Sequence, residues 1–336
     1  MQNILTQTHL HFSTMQFSEI QALIQTDLLA SDALIRKHLQ SDVDIIQQIG
    51  EYVFQSGGKR LRLMLTILSG KICDLDPAKP QLLGAIIEMI HTATLLHDDV
   101  IDESKMRRGQ PSANSIYGNA ASVLSGDFLY SRTFEMMVKL NNLKVLDELA
   151  RTSNKIAEGE MMQLQNCHRP DLDQAEYLEV IGSKTAALFE AATKIPAMMA
   201  ERSEAEYQAL KQFGHDMGVA FQVLDDLIDY TSAATEMGKN PGDDLSEGKM
   251  TLPLIYARQA ATEADQKIID EAILNADASM LPEIIRIIQA TDAIPRVHLC
   301  AENLIKKAKA ALAIFPQSAY VNALNSLADL AIERSA

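Results

Sequence analysis

The chain has 336 residues, 47% hydrophobic and only 5% aromatic, and its formal net charge is −15. So acidic a chain would repel phosphate backbones, which argues against nucleic acid as a partner. Its three cysteines are odd in number and lack the spacing of metal ligands, so they predict neither a disulfide framework nor a metal site and favour a reducing cytoplasm.

The first residues carry little pattern. Residues 1–16 are polar, and we predict a flexible N-terminal extension there, followed by one domain over 17–336; either Met1 or Met15 could be the biological start. The first basic residue is Arg36, which argues against a secretory or Arg-rich transit signal. No apolar run reaches the roughly 18 residues of a membrane-spanning helix. These features favour a cytoplasmic location.

Helical spacing of apolar residues begins at Phe17 and continues to about Gln55, with a helix start near 41–44 and an end at 56–58. Lys59 and Arg62 then share one face of a new helix. Taken alone, they fit a solvated basic turn. A Gly-Gly loop that leads into a helix N-terminus with two cations would equally suit a diphosphate, because backbone N–H groups and Arg forks both bind phosphate oxygens.

A helix predicted from Pro80 to Ile101 carries a first acidic motif at its end, Asp98, Asp99 and Asp102. With 3.6 residues per turn, Asp98 and Asp102 stack on one face and Asp99 lies beside them. Carboxylates this close repel one another and are costly to bury unpaired, so a cation is expected there. His91, two turns earlier on the face of Asp98, is equally open to a core role or a binding role.

A basic loop over 106–111 follows. Its adjacent arginines, Arg107 and Arg108, fit either a charged connector or a pair of residues that clamp a diphosphate. Further helices are predicted over 112–140, 142–168, 173–199 and 204–230, with Pro196 ending or kinking the third. A polar Gly/Pro loop over 238–249 is the candidate lid. Shorter amphipathic helices over 251–336 would serve as scaffold or dimer support. No alternating strand pattern is visible, so the prediction is one all-α domain.

The helix over 204–230 repeats the acidic pattern as Asp225, Asp226 and Asp229, again after an aliphatic lead-in. Two such clusters that face each other could hold several Mg²⁺ ions, because Mg²⁺ prefers hard oxygen ligands and shares them with substrate phosphates.

Together these motifs resemble the trans-polyprenyl diphosphate synthase family over nearly the whole chain from about Phe17, and most of all its bacterial octaprenyl-type long-chain members. The family's motifs stand here, in the family's order, as Gly57–Arg62, Asp98–Asp102, Arg107-Arg108, Lys184-Thr185, Phe221-Gln222, Asp225–Asp229, Lys239 and Lys249.

The resemblance implies a single-domain helical bundle of the isoprenoid synthase type with a central substrate cavity. It implies a Mg-dependent prenyltransferase that adds isopentenyl diphosphate to an allylic diphosphate, with several Mg²⁺ ions, three when substrate is bound, on Asp98, Asp102 and Asp225. The resemblance also implies catalytic roles for Asp99 and Asp226, and polar groups that steady the allylic cation at Thr185 and Gln222. It implies that the allylic diphosphate is bound by Lys184, Lys239 and Arg107, and that Lys249 also binds substrate. Isopentenyl diphosphate would be bound by Lys59, Arg62, His91 and Arg108. A homodimer, a quinone side-chain product and transient membrane contact are implied as well.

Product length is expected to depend on Ala93 and Thr94, just before Asp98. At 1.5 Å per residue, Ala93 lies roughly 7.5 Å along the helix from the acids. In the family, short-chain enzymes often place an aromatic ring near there and close the tunnel. The small side chains here predict a deeper tunnel, although Ala93 could instead simply permit close helix packing.

Four other functions stay open. A short-chain geranylgeranyl or farnesyl diphosphate synthase would use the same motifs, and a class I terpene cyclase would also ionise a diphosphate but would not need the Lys59/Arg62/His91 pocket. A non-catalytic regulatory subunit of a heteromeric synthase should have lost some of the motifs. A purely structural bundle would leave the acids solvent-facing and indifferent to metal.

Overall fold

The computed structural model describes residues 14–231 and 241–332, which fold as a helical bundle. Its helices are α1 Phe17–Leu23, α2 Gln25–Leu39, α3 Asp44–Gln55, α4 Leu61–Ile72, α5 Ala78–Ile101, α6 Ala113–Tyr117, α7 Asn119–Lys139, α8 Leu143–Asn166, α9 Gln174–Ile181, α10 Ala187–Met199, α11 Glu204–Thr231, α12 Asp243–Ser246, α13 Leu252–Ala260, α14 Glu263–Asn275, α15 Leu281–Ala290, α16 Ala293–Ala311 and α17 Ala319–Ile332. A π-helical turn, Gly182–Ala186, joins α9 to α10, and short 3₁₀ turns occur at Ala278–Met280 and Leu312–Ile314. The predicted all-α class is confirmed.

The core lies where the longest helices cross. Helix α5 packs against α4 and α7, and α11 packs against α10 and α16. Every residue of α10 from Ala187 to Ala197 is buried, as expected for a helix enclosed on all sides. Helices α5 and α11 end with the two acidic motifs, so the packing that buries them also positions the carboxylates.

Two predicted helices differ in detail. The helix predicted over 112–140 is divided at Gly118, whose φ of 84° lies outside the helical region and separates α6 from α7. Pro196 does not end α10, which continues to Met199. A proline so close to the C-terminus removes only one hydrogen bond, to the carbonyl of Ala192, and this loss is tolerated there.

The basic loop forms a small β-hairpin. The sequence shows no alternating pattern there, so the hairpin was not predicted. Strand β1, Met106–Arg107, pairs antiparallel with β2, Gln110–Pro111. Arg108 and Gly109 between them both have positive φ, 53° and 76°, which is the pattern of a type I′ turn. Strands of two residues are too short to show alternation in a sequence.

The structure describes part of each of two predicted segments, the N-terminal extension and the lid. Residues 1–13 lie outside the described chain, but Met15 donates a backbone hydrogen bond to Ser326 Oγ at 2.9 Å, so 14–16 belong to the domain. Of the predicted lid, 238–240 lie outside the described residues, whereas 241–249 contain α12. The N–H groups of Gly242 and Asp244 bind Asp229 at 3.1 and 3.2 Å, which ties this segment to the end of α11.

In the described part of the chain, no helix combines the length and the apolar character that crossing a bilayer would require.

A buried charge cluster joins α8, α10 and α11 away from the acidic motifs. Lys194 Nζ lies 2.8 Å from Glu148 and 2.5 Å from Glu190, and His215 Nδ1 lies 3.5 Å from Glu190. Burial alone would raise the pKa of Glu190, but the hydrogen bonds from His215 and Lys194 outweigh it and lower the pKa to about 2. The ionised form of Glu190 is therefore the one that the fold stabilises.

Glu190→Gln should remove part of the acid sensitivity of the fold. Because the folded pKa lies below the unfolded value of 4.5, this stabilisation is fully present above about pH 5 and is lost as the pH falls toward 2. At about 1.4 kcal/mol per pKa unit, it amounts to at most about 3 kcal/mol. Urea unfolding of the wild type and of Glu190→Gln should be measured between pH 7 and pH 3. Over this range the free energy of unfolding should fall about 1–2 kcal/mol further in the wild type than in the variant. Parallel curves would contradict the assignment.

Candidate active site

One cavity of about 1550 Å³ lies between the ends of α5 and α11, well above the roughly 300–1,000 Å³ of common ligand pockets. Its lining includes most of the predicted site residues: Lys59, Arg62, His91, Thr94, Asp98, Asp102, Arg107, Arg108, Lys184, Thr185, Gln222, Asp225, Asp226 and Lys249. Asp99 and Ala93 do not line it, and Lys239 lies outside the described residues.

The first acidic motif presents two carboxylates to the cavity. Burial raises the pKa of Asp98 to about 7, and the neighbouring carboxylates of Glu160 and Asp102 add to the rise. Asp102 accepts a hydrogen bond from Lys249 Nζ at 3.2 Å. Asp98 thus stands in a buried, acid-rich environment that a cation would relieve.

Asp99, for which a catalytic role stays a prediction, differs from Asp98 in its surroundings. It is 3% exposed and lies away from the cavity, and Nε and Nη2 of Arg107 both lie 2.6 Å from its Oδ1. One residue along a helix turns the side chain by about 100°, so Asp99 faces the hairpin while Asp98 faces the cavity. Asp99 therefore positions Arg107.

The second acidic motif belongs to a hydrogen-bond chain. Thr185 Oγ1 donates to Gln222 Oε1 at 2.8 Å, and Gln222 Nε2 donates to Asp226 Oδ1 at 2.7 Å. The hydroxyl of Tyr177 donates to the other oxygen of Asp226 at 2.6 Å. Burial raises the pKa of Asp226 to about 6 against these hydrogen bonds. Asp226 therefore orients Gln222. Asp225 also lines the cavity but takes no part in this chain of hydrogen bonds.

The residues of the predicted basic pocket, Lys59, Arg62, His91 and Arg108, all line the cavity. Burial lowers the pKa of Arg62 to about 10, its guanidinium lies 4.3 Å from the centre of the Phe189 ring, and its buried Nε has no hydrogen-bond partner among the described residues. Burial, together with Arg62 and Arg108, lowers the pKa of His91 well below its usual value, so the imidazole is neutral. A neutral His91 beside guanidinium groups favours an anionic ligand.

The glycine loop and the hairpin meet in this pocket. The guanidinium of Arg108 donates to the carbonyl of Gly57, and a Cβ on Gly58 would lie 2.7 Å from Arg108 Nη1. Arg60, the residue just before α4, and Arg108 both have positive φ, a conformation that is costly for residues with a Cβ. Such backbone strain is concentrated at functional sites, where the surrounding structure enforces it.

The cations nearest the acidic motifs are each paired with a carboxylate. Lys184 Nζ lies 2.7 Å from Glu160. Lys249 contacts both Asp102 and Glu247; burial alone would lower its pKa, but these acids raise it instead. Lys249 is therefore charged, and both lysines stand at the cavity wall, where diphosphate oxygens could replace their present partners.

The two predicted chain-length residues separate in the structure. Thr94 lines the cavity, whereas Ala93 is fully buried and does not line it, so the chain-length role of Ala93 stays a prediction. Thr94 is four residues from Asp98 and shares its face, but five residues carry Ala93 about 140° away. The cavity continues between α7 and α8 to Tyr130 and Phe134, whose rings meet edge to face at 6.0 Å.

The lining residues that the sequence analysis missed include Glu88, Glu160, Tyr177 and Glu247. Glu88 is a buried carboxylate whose pKa burial raises and the arginines Arg60 and Arg62 lower. It lies three residues before His91 on α5, and this helical spacing could have identified it. Glu160 and Tyr177 act through partners on other helices, for which the local sequence holds no signal.

The residues present fit Mg²⁺. Asp98, Asp102 and Asp225 supply only hard oxygen donors, and burial raises the pKa of Asp98, a cost that a bound cation would offset. Over 14–231 and 241–332, no group of three or more His, Cys, Asp or Glu side chains is arranged so that it could hold a metal ion. Mg²⁺ commonly takes one or two carboxylates and completes its coordination with substrate phosphates and water.

Known proteins resemble this chain over most of its length. Residues 43–288 match the family model for polyprenyl synthetases. Octaprenyl diphosphate synthase of Escherichia coli is 42% identical over 95% of this chain and 99% of its own, and all-trans-nonaprenyl-diphosphate synthase (geranyl-diphosphate specific) of Rhodobacter capsulatus is 42% identical over 94% and 97%. The crystal structure of a Caulobacter crescentus polyprenyl synthase with calcium and isoprenyl diphosphate superposes with a TM-score of 0.92, at 41% identity, over 97% of this chain and 100% of that one. The chain therefore belongs to the polyprenyl synthetase family of prenyltransferases.

Proposed function

We propose that the protein is a long-chain all-trans polyprenyl diphosphate synthase of the octaprenyl type. It adds isopentenyl diphosphate successively to an allylic diphosphate such as farnesyl diphosphate, and the product serves as a quinone side chain. The relatives named octaprenyl and nonaprenyl diphosphate synthase support a long product, and so does the size of the cavity.

The observation that carries this proposal is that one cavity is lined by both a group of carboxylates and a group of basic side chains. The acidic wall around Asp98 and Asp225 suits a diphosphate that arrives with divalent ions, and the basic pocket around Arg62 suits a diphosphate without them. A terpene cyclase would need only the first of these sites. Two diphosphate sites fit a condensation of two diphosphate substrates.

In this mechanism the allylic diphosphate lies against Lys184, Arg107 and Lys249, and we retain Lys239 on the resemblance alone. When bound on Asp98, Asp102 and Asp225, Mg²⁺ supplies the positive charge that neutralises the departing diphosphate. The hydroxyl of Thr185 and the amide of Gln222 direct their dipoles toward the allylic carbocation. The departing diphosphate accepts the proton that the condensation product loses in the final step.

The second substrate is held by the basic pocket. Lys59, Arg62 and Arg108 bind the diphosphate of isopentenyl diphosphate, and neutral His91 adds a hydrogen bond without adding charge. Glu88 beneath them offsets part of the repulsion between the arginines. The growing chain passes Thr94 toward Tyr130 and Phe134.

A homodimer is part of the proposal. Helix α7 exposes Leu124, Phe134 and Val138, and α8 begins with Leu143, which is 82% exposed. Large apolar side chains grouped in this way are typical of a protein interface.

The free thiols of all three cysteines fit a reducing cytoplasm, and a lipophilic product would require transient membrane contact for its release.

Mass spectrometry of the product tests the proposal. Purified protein incubated with farnesyl diphosphate, isopentenyl diphosphate and Mg²⁺ should release octaprenyl diphosphate as the main product. Product formed without isopentenyl diphosphate would favour a cyclase, and a main product of farnesyl or geranylgeranyl length would favour a short-chain synthase. No turnover would favour a regulatory subunit.

A further inference from the structure

The π-helical turn Gly182–Ala186 carries both Lys184 and Thr185 into the cavity. In a π-turn each N–H binds a carbonyl five residues back, so the turn contains one residue more than an α-turn. Single π-turns within α-helices are rare and occur often at functional sites. Neighbouring helices must therefore favour this conformation over a continuous α-helix.

Glycine brings α8 against one side of the turn. A Cβ on Gly159 would lie 2.8 Å from the carbonyl carbon of Ser183 and 2.9 Å from the Cα of Lys184. These are backbone atoms, so they cannot move aside without moving the turn itself. The next residue on α8, Glu160, pairs with Lys184 Nζ at 2.7 Å.

Helix α11 repeats the arrangement on the other side. A Cβ on Gly218 would lie 2.7 Å from the Cα of Ala186 and 2.9 Å from the Cβ of Phe189. One turn later on α11, Gln222 accepts the hydroxyl hydrogen of Thr185 at 2.8 Å. Each neighbouring helix thus supplies one glycine for the backbone of the turn and one polar group for a side chain of the turn.

We propose that Gly159 and Gly218 are positioning residues, which clamp the π-turn so that Lys184 and Thr185 face the diphosphate. The roles of those two side chains rest on the proposed function; the clamp is a property of the packing. An alanine at either position would displace the turn and move both side chains together. Displacements of about 1 Å near a reacting centre can cost about a hundredfold in rate.

Gly214 provides a matched control. It lies one turn before Gly218 on α11, and a Cβ there would lie 2.9 Å from the Cα of Glu190, but its contacts are with α10 beyond the π-turn. Gly214→Ala should disturb the packing of α10 and α11 as much as Gly218→Ala does. It should not displace Lys184 or Thr185.

The test measures binding of inorganic diphosphate with Mg²⁺ by calorimetry, and then the KM of each substrate. We expect Gly159→Ala and Gly218→Ala to weaken diphosphate binding and raise the KM of the allylic substrate at least tenfold, with the KM of isopentenyl diphosphate within twofold of wild type. Gly214→Ala should lower the melting temperature and leave both binding values unchanged. Equal effects of all three alanines on diphosphate binding would overturn the clamp.

Deletion of Ser183 covers the case in which an alanine variant does not fold. Removing the extra residue converts the turn to α-helix without adding any Cβ, so the protein should fold and still lose diphosphate affinity at least tenfold. A folded deletion variant with wild-type affinity would overturn the proposal. The wild type could bind diphosphate but lack prenyl transfer, while the variants show the expected losses of diphosphate affinity. That outcome would support the clamp and contradict only the proposed function.

Discussion

Asp98→Asn and Asp225→Asn should each lower kcat by about 10²–10³-fold or more, because each removes a carboxylate that would hold the Mg²⁺ needed to neutralise the departing diphosphate. Asparagine has nearly the shape of aspartate, so the cavity lining is retained. The measurement is prenyl transfer at saturating substrate and Mg²⁺. Full activity in either variant would contradict the proposed mechanism, as would full activity of the wild type after chelation of divalent ions.

Stability distinguishes this loss from misfolding. Burial and the carboxylates of Glu160 and Asp102 already disfavour the ionised form of Asp98, as its pKa of about 7 indicates. Asp98→Asn removes a charge that the fold does not stabilise, so its melting temperature should equal or exceed that of the wild type without ligand. Addition of Mg²⁺ and diphosphate should raise the melting temperature of the wild type more than that of the variant. A variant that melts earlier than the wild type would point to unfolding as the cause.

Asp99→Asn is the informative comparison within the same motif. Asp99 is buried against Arg107 and does not line the cavity, so its loss acts through the position of that guanidinium. We expect a higher KM for the allylic substrate and a smaller loss of kcat than Asp98→Asn causes. The sequence motif treats the two aspartates alike, whereas the structure separates them.

The sequence predicted what depends on regular periodicity. The faces of α5 and α11 followed from helical spacing, and with them the positions of Asp98, Asp102 and Asp225. The basic pocket followed from the residue types at Lys59 and Arg62. These features are local, because one helix or one turn is enough to define them.

The features that were missed depend on contacts between distant segments or on very short elements. The pairing of Lys184 with Glu160 joins α8 to the π-turn, and the hydrogen bond from Tyr177 to Asp226 joins α9 to α11. No local pattern encodes either contact. The π-turn itself reads as ordinary helix in the sequence, since its cause lies in Gly159 and Gly218 on other helices. The hairpin around Arg108 is simply too short to show alternation.

Thr94→Phe should shorten the product from the octaprenyl range to geranylgeranyl length or below, while the first condensation proceeds. Thr94 lines the cavity one turn before Asp98, about 6 Å along the helix, so a phenyl ring there would meet the tail after few additions. The diphosphate sites are untouched, so initiation should remain. The measurement is the distribution of product lengths by mass spectrometry at equal extents of reaction.

Ala93→Phe is the matched control, because it adds the same side chain one residue away on another face of the helix. Ala93 is fully buried outside the cavity, so the larger ring should overpack the core and cost about 1–3 kcal/mol of stability. The product of the folded fraction should keep its wild-type length. If Ala93→Phe shortened the product and Thr94→Phe did not, the tail would run along the other face of α5, and the path past Thr94 to Tyr130 and Phe134 would be wrong.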